Sequence, residues 1–365
     1  RGKMHNWFQS YLTDRELFVS IDGTSSKTYF LKHGVPQGSV LGPILFLIYI
    51  NDITNSSKTF DFSMFADDTS LILKVDRHDY DNTIKTELLK VMKWFDNNLL
   101  LLNVDKTKYL YFGPYNNSIK PLHNCVPEYL YKKKLEVDNP IVESSEVKYL
   151  GVIFDNNLSI SKHINATTMK INRMVGMLWQ SRDLPREAKL TIYHSLVASY
   201  LNYGILIWGS SLALNLTGKY TLTHVPSPLH NINVAHNKII RAITCSKRYN
   251  KETKTITHTS PLLKKLNLLS LNDIYYHQLA MFAFDCILTD DLPDVFNNYI
   301  NTLSNTYNSR TNSLNVFIPK VELSATFRSV KIASSYIWNL LPSEIRATNY
   351  SRNVFNYKVK SWLIS

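Results

Sequence analysis

At 365 residues and 44% hydrophobic, the chain has enough length for two or three domains and enough apolar content to exclude a disordered one. Its 41 Lys+Arg against 29 Asp+Glu give a formal charge of +12, which favours a polyanionic partner such as nucleic acid or an acidic membrane surface. The longest apolar run, Val40 to Ile50, is too short to span a bilayer and reads as a buried helix, so no membrane association is expected. Three scattered cysteines (Cys125, Cys245, Cys286) lack the spacing of a zinc or disulfide framework. With no charged and apolar leader, the expected setting is reducing, in the nucleus and/or the cytoplasm, and not secreted. Sequons such as Asn55-Ser56-Ser57 and Asn165-Ala166-Thr167 then carry no weight.

In chain order, Met4 to Leu12 places Trp7, Phe8, Tyr11 and Leu12 at helical spacing, and "LFVSI" turns strand-like before an Asp22-Gly23 turn. Gly34, Pro36, Gln37 and Gly38 form a turn, Ser39 is a candidate cap, and an almost wholly apolar helix follows with Pro43 in its first turn. Two strand-like runs flank Asp67 and Asp68, and a helix runs from about His78 to Asn98. "LLLLNVDKTKYLYFG" and "VKYLGVIFD" are further strand-like pieces around a basic, Pro-containing insert, Asn116 to Ser145. Beyond Ser161 the pattern is helical: Lys162 to Gln180, Pro185 to Ile207 and about Asn231 to Thr244, with "LTHVPSPLHN" as a linker before the last of these. Further helices at Leu271 to Leu288 and Ser329 to Leu340 are joined by Asn/Ser/Thr-rich connectors such as "NTLSNTYNSRTNS". The chain is α+β to about Phe154 and mainly helical afterwards.

The aspartate pair carries the most chemistry. On a regular strand, Asp67 and Asp68 would point to opposite faces. If "FSMFA" and "TSLIL" are the strands of a hairpin, both carboxylates stand at its tip, open to a solvent-side cation, while Phe65, Leu71 and their neighbours are buried. Mg²⁺ takes hard oxygen ligands and is commonly held by one or two carboxylates plus substrate phosphates. An exposed Asp-Asp turn is the plainer alternative.

The ordered series "GVPQGSVLGPILFLIYINDI", "FADD" with its first Asp thirty residues after Gln37, "LLLNVDKTKYLYF" and "VKYLGVIFD" resembles reverse transcriptases of non-LTR retrotransposons, LINE elements of the jockey-like kind. The likeness extends to "WFQSYLTDRELFVSI" upstream and to "HTSPLLKKLNLLSLNDIYYHQL" and "SSYIWNLLPSEIR" downstream. It implies an α+β partial polymerase palm (an antiparallel sheet with helices) over 1–158, a helical thumb over 159–245 and a mainly helical C-terminal region over 246–365. The partners implied are an RNA template, a DNA primer and dNTP, with Mg²⁺, or Mn²⁺, as cofactor. Asp67 matches the metal-binding aspartate and Asp68 its neighbour. Pro36, Gln37 and Gly38 match the loop lining the pocket for template base and incoming nucleotide; Phe65 and Ala66 precede the aspartates. Asn103, Lys106 and Thr107 match an N-x-x-K-T box whose lysine would neutralise or protonate the leaving pyrophosphate, and Tyr149, Leu150 and Gly151 match a primer-supporting hairpin.

Each of these has a plainer alternative: Gln37 as a turn residue bonded to backbone, Lys106 as a solvated lysine, Tyr149 to Gly151 as ordinary strand and bulge, Asp155 as a turn residue. The basic clusters Lys132 to Lys134, Lys247 to Lys254, and Lys264 with Lys265 read as solvated faces or as phosphate contacts. Trp94, Trp179, Trp208 and Trp338 read as core. The resemblance places another metal-binding aspartate upstream of this chain's first helix, so the chain by itself is expected to be inactive, a truncated polymerase or a nucleic-acid-binding remnant. Nothing in the sequence sets an oligomeric state.

Overall fold

The computed structural model describes residues 2–74, 80–103, 105–112, 141–210, 212, 227–250, 255–289, 292–301, 315–320, 329–346 and 350–365. Most of the basic insert, with Cys125 and Lys132 to Lys134, lies outside them, as do 251–254, most of the Asn-rich connector and the start of the "LTHVPSPLHN" segment. The chain divides into two compact units, Arg1–Ser144 and Ser145–Ser365.

In the first unit, α1 (Lys3–Leu12) leads into two nested antiparallel pairs: β1 (Arg15–Leu17) with β4 (Tyr29–Leu31), and β2 (Ser20–Ile21) with β3 (Thr24–Ser25). Asp22 and Gly23 both have positive φ, the conformation that a tight hairpin needs and that Asp-Gly supplies at little cost. α2 (Gly42–Ile50) runs into a 3₁₀ turn over Asn51–Ser56, and β5 (Asp61–Phe65) pairs antiparallel with β6 (Asp68–Ile72). α3 (Tyr80–Asn97) follows, then β7 (Lys108–Tyr109), which pairs in parallel with β8 (Val142–Glu143). The core is small: Ile50, Ile53 and Val91, with Phe46, Phe60, Phe62, Met64, Leu71, Trp94 and Phe95 packed around them. Beside it the buried Glu87 accepts from the Ser57 hydroxyl at 2.5 Å and from Lys90 at 2.6 Å. Those two donors hold its carboxyl below the ordinary range against the opposing pull of burial.

Two expectations about this unit are corrected. α2 is apolar throughout, yet only Gly42 and Ile50 are buried, while Ile44, Leu47, Ile48 and Tyr49 are 47–68% exposed. One core contacts one side of a helix; uniform hydropathy says nothing about how many sides are covered. The strands also form separate two-stranded sheets among the described residues rather than one antiparallel sheet.

The second unit opens with the antiparallel hairpin β9 (Glu146–Tyr149) and β10 (Val152–Asp155), then α4 (Ser161–Gln180). The segment expected as a single helix from Pro185 is broken into pieces: α5 (Arg186–Ile192), a π-helical turn Tyr193–Val197, α6 (Ala198–Asn202) and α7 (Ile205–Trp208). The break is at Tyr203, which is extended, and Gly204, at φ +63. α8 (Ser227–Thr244) starts four residues earlier than the sequence pattern suggests, Pro228 being tolerated in a first turn. Then come β11 (Tyr249–Asn250) with β12 (Thr255–Ile256), α9 (Ser260–Leu266), α10 (Leu271–Leu288), α11 (Val330–Leu340) and α12 (Arg352–Ile364). A Ser270–Asp273 capping box starts α10, and Ser329 and Ser351 cap α11 and α12. A continuous core joins these helices; Trp338 and Phe355 are wholly buried, and Phe284 stacks on Phe355 at 4.4 Å. Arg352 grips Asp285 through two hydrogen bonds of 2.8 and 2.9 Å.

Within that core His236 is fully buried, its Nε2 3.0 Å from the Tyr193 hydroxyl and its Nδ1 without a partner among the described residues. Burial pushes the imidazole down to about 4 from its ordinary 6.5 and pushes the Tyr193 phenol up. A histidine depressed in the folded state stabilises fully above its ordinary value, and that contribution drains as pH falls through 6.5 towards about 4. Urea unfolding followed between those limits should show a loss of up to ~3 kcal/mol from this group. His236→Gln should remove that portion of the slope; an unchanged slope in the variant would show that the buried imidazole does not stay neutral.

Candidate functional site

The hairpin expected around the aspartates is present. Its register pairs Phe65 with Asp68, which leaves Ala66 and Asp67 as a two-residue turn. Ala66 has φ +52, a left-handed conformation that glycine adopts freely and alanine adopts at about 1 kcal/mol. The hairpin's geometry therefore rests on its strands. Phe62 and Met64 on β5 and Leu71 on β6 lie on the face packed against the core. Phe65 is on the other face and 64% exposed, so its expected burial is corrected: pairing with Asp68 puts both side chains on the solvent face. Asp67 and Asp68 are both exposed, and neither accepts a hydrogen bond among the described residues.

The Pro36–Gly38 turn is held from outside. Ser39 Oγ donates to the Pro36 carbonyl at 2.7 Å, accepts from the Gly42 N–H at 3.0 Å and accepts from the Tyr11 hydroxyl at 2.7 Å. Arg15 donates to the carbonyls of His33 and Gly34 at 2.9 and 2.8 Å. Gly34 and Gly38 have φ of +84 and +80, so the chain reverses sharply on both sides of Gln37. Gln37 is exposed, and its amide makes no hydrogen bond among the described residues, which sets aside its reading as a backbone-bonded turn residue. Tyr11 and Arg15 are residues that sequence reasoning missed; nothing in a lone Tyr or Arg announces a partner eighteen or more positions away.

Asn103 builds its own turn: Oδ1 accepts from the Lys106 N–H at 3.2 Å, and its carbonyl accepts from the Thr107 N–H and hydroxyl at 3.0 and 2.8 Å. Asparagine and threonine thus shape the loop, and Lys106 is left exposed. Among the described residues, no hydrogen bond joins this loop or the Gln37 loop to the Asp67 turn.

In the second unit, Leu150 and Gly151 are the two central residues of the β9–β10 turn, at φ +43 and +83. The Tyr203 hydroxyl donates to the Leu150 carbonyl, and the Tyr203 carbonyl accepts from Trp208 Nε1 at 2.8 Å. A β-carbon on Gly151 would stand 3.1 Å from the Tyr203 ring, and one on Gly204 would stand 3.1 Å from Val152. The break after α6 is therefore where hairpin and helices meet. Asp155, expected in a turn, instead closes β10 opposite Glu146, and its carboxylate braces the turn that follows. Burial pulls its carboxyl upward, but the Ser159 hydroxyl, the Ser159 N–H and the Asn157 N–H hold it below the usual carboxylate range.

Two hard carboxylates at an open turn suit Mg²⁺ or Mn²⁺ in donor chemistry. They do not form a cage: among the described residues no three His, Cys, Asp or Glu side chains are placed to hold a metal. No described helix is long and apolar enough to cross a membrane.

Residues 2–154 match the family model described as reverse transcriptase (RNA-dependent DNA polymerase). The chain is 29% identical over 245 residues to the probable RNA-directed DNA polymerase from transposon X-element of Drosophila melanogaster, covering 65% of this chain and 24% of that protein. It is 27% identical to the probable RNA-directed DNA polymerase from transposon BS of the same fly, over 65% and 25% of the two chains. It is 28% identical to the RNA-directed DNA polymerase from mobile element jockey, over 55% and 22%. The chain thus matches about a quarter of the length of these curated relatives.

The Gly151 geometry sets a stability test. Gly151→Ala should cost about 1–3 kcal/mol in urea unfolding, because it meets both a positive φ and the Tyr203 ring. Gly176→Ala, on open helix surface, should instead stabilise by roughly 0.5–1 kcal/mol. Equal effects at the two positions would refute the packed turn.

Proposed function

Because residues 2–154 match the reverse transcriptase family and the chain is similar to the polymerases of the X-element and jockey transposons, we propose that it is part of an RNA-directed DNA polymerase of a jockey-like non-LTR retrotransposon. The reaction is nucleotidyl transfer: a primer 3′-hydroxyl attacks the α-phosphate of a dNTP selected by an RNA template, and pyrophosphate leaves. The observation that carries this reading is an exposed carboxylate pair at a two-residue turn, inside the segment that matches the family.

In this reading Asp67 and Asp68 hold Mg²⁺ or Mn²⁺, which when bound neutralises charge on the reacting phosphates. Phe65 and Ala66 set the approach to the carboxylates. Pro36, Gln37 and Gly38, in a loop pinned by Tyr11 and Arg15, line the pocket for template base and incoming nucleotide, the Gln37 amide being free to bond a base edge or sugar. Asn103 fixes the turn from which Lys106 reaches the leaving pyrophosphate as an electrostatic partner or acid. Tyr149, Leu150 and Gly151 bear on the primer strand, with Tyr203 as their support. We assign 1–158 to a partial palm, 159–245 to a thumb and 246–365 to a C-terminal region.

In RNA-templated extension by a polymerase containing this chain, Asp67→Ala should lower the rate at least about a thousandfold, ~4 kcal/mol of transition-state stabilisation. Lys106→Met should lower it about a hundredfold. Extension by Asp67→Ala at the wild-type rate would overturn the metal assignment.

A second reading, nucleic-acid binding without chemistry, is favoured by the net charge of +12. For the 365-residue chain, affinity for an RNA–DNA duplex should fall about tenfold or more between 50 and 200 mM salt if two or more phosphates are contacted, with no requirement for Mg²⁺. An affinity flat in salt would remove phosphate contacts from both readings.

A further inference from the structure

Lys189, on α5, is 2% exposed. Lysine is seldom buried without a partner of opposite charge, and among the described residues no carboxylate reaches it. Its ammonium donates to the Arg182 carbonyl at 2.8 Å and to the sulfur of Cys245 at 3.5 Å. Cys245 follows the last residue of α8, at φ +53, and is exposed; its thiol also lies 3.9 Å from the Ala242 carbonyl. A cysteine open to solvent on one side thus receives a hydrogen bond from a buried ammonium on the other. That arrangement sets the amine nitrogen within reach of a sulfur that an oxidant can approach from solvent.

We propose that Cys245 and Lys189 form an oxidation-sensitive pair that closes into a covalent sulfenamide bridge between α5 and the end of α8. In the first step the Cys245 thiolate attacks one oxygen of hydrogen peroxide. The S–O bond forms, the O–O bond breaks, and the departing hydroxide takes the thiol proton as water, leaving the sulfenic acid. In the second step the Lys189 amine, after giving one proton to solvent, attacks that sulfur. The S–N bond forms, the S–O bond breaks, and a second water leaves with the hydroxyl and the returned proton. One peroxide is reduced to two waters, and the protein loses two hydrogens. Thiol reductants reverse the bridge by attacking sulfur and releasing the amine.

Cys286 is the internal control. It is only partly exposed, and burial, with Asp285 beside it, pushes its thiol up to about 11. The test is peptide mapping by mass spectrometry of the full chain, with Cys125 replaced by Ser, treated with a few equivalents of peroxide. The expected product joins the Lys189 and Cys245 peptides at a mass about 2 Da below their sum, and a thiol reductant returns both. Cys245 should be consumed at least about ten times faster than Cys286. Cys245→Ser and Lys189→Met should each lose the joined peptide. Should Lys189→Met fail to fold, the wild-type map still decides. Cys245 reaching the sulfinic or sulfonic acid with Lys189 unlinked, or reacting no faster than Cys286, would overturn the proposal.

Discussion

The candidate site depends on the register of one hairpin. Phe62, Met64 and Leu71 face a core made with α2 and α3, and the alternation of strand side chains then fixes which residues fall at the turn. A slip of one residue would carry those three partly buried side chains into water, each at a fraction of the roughly 1.5–3 kcal/mol that full burial is worth. The strain of Ala66 in a left-handed conformation is small beside that. Asp67 therefore stands in the turn because apolar residues on either side of it cannot stand elsewhere.

The second unit repeats the device with different parts. The Leu150–Gly151 turn is seated against Tyr203, and the chain there departs from the helix so that Gly204 can sit against Val152. Neither contact leaves room for a β-carbon without movement. His163 ties the same hairpin to α4 by accepting from the Ile153 N–H at 3.4 Å, and burial, with Lys170 nearby, keeps its imidazole below the ordinary value and so neutral as an acceptor. Hairpin and helices are thus joined through backbone groups, by which a turn can be held without spending the side chains at its tip.

Local signals made two hairpins legible, since alternation and turn residues marked Asp22-Gly23 and "FSMFA" with "TSLIL"; "VKYLGVIFD", read as one strand-like piece, folds back on itself at Leu150–Gly151, as only the resemblance implied. Non-local features were not legible. Alanine gives no sign that it will adopt φ +52, and glycine in a helical pattern does not announce a break; Ala66 and Gly204 take those conformations because of what packs around them. α2 misled for the same reason, since hydropathy states a preference and the number of covered faces is set by neighbours. The candidate site was legible as a set of residues and illegible as an arrangement. Tyr11 and Arg15, which hold the Gln37 loop, and Tyr203, which seats the second unit's hairpin, carry no motif, and nothing in the sequence marks Lys189 for burial.

Several other acids of the fold are held by donors that Asp67 lacks among the described residues. Glu87 is taken up by Ser57 and Lys90, Asp155 by Ser159 and Asn157, Asp273 by the cap of α10, and Asp285 by Arg352. A carboxylate whose oxygens already accept from fixed protein donors has little left for an ion, and its removal would be felt in folding. Asp67 and Asp68 accept from no described donor, so they contribute nothing of that kind to the hairpin whose tip they occupy. Other exposed acids are unengaged too, but these two are adjacent at a hairpin tip, Asp67 in its two-residue turn and Asp68 as the first residue of β6. A rigid mount with unspent oxygens is what coordination of a hard cation requires. The strands supply the rigidity, and among the described residues no donor takes up the oxygens.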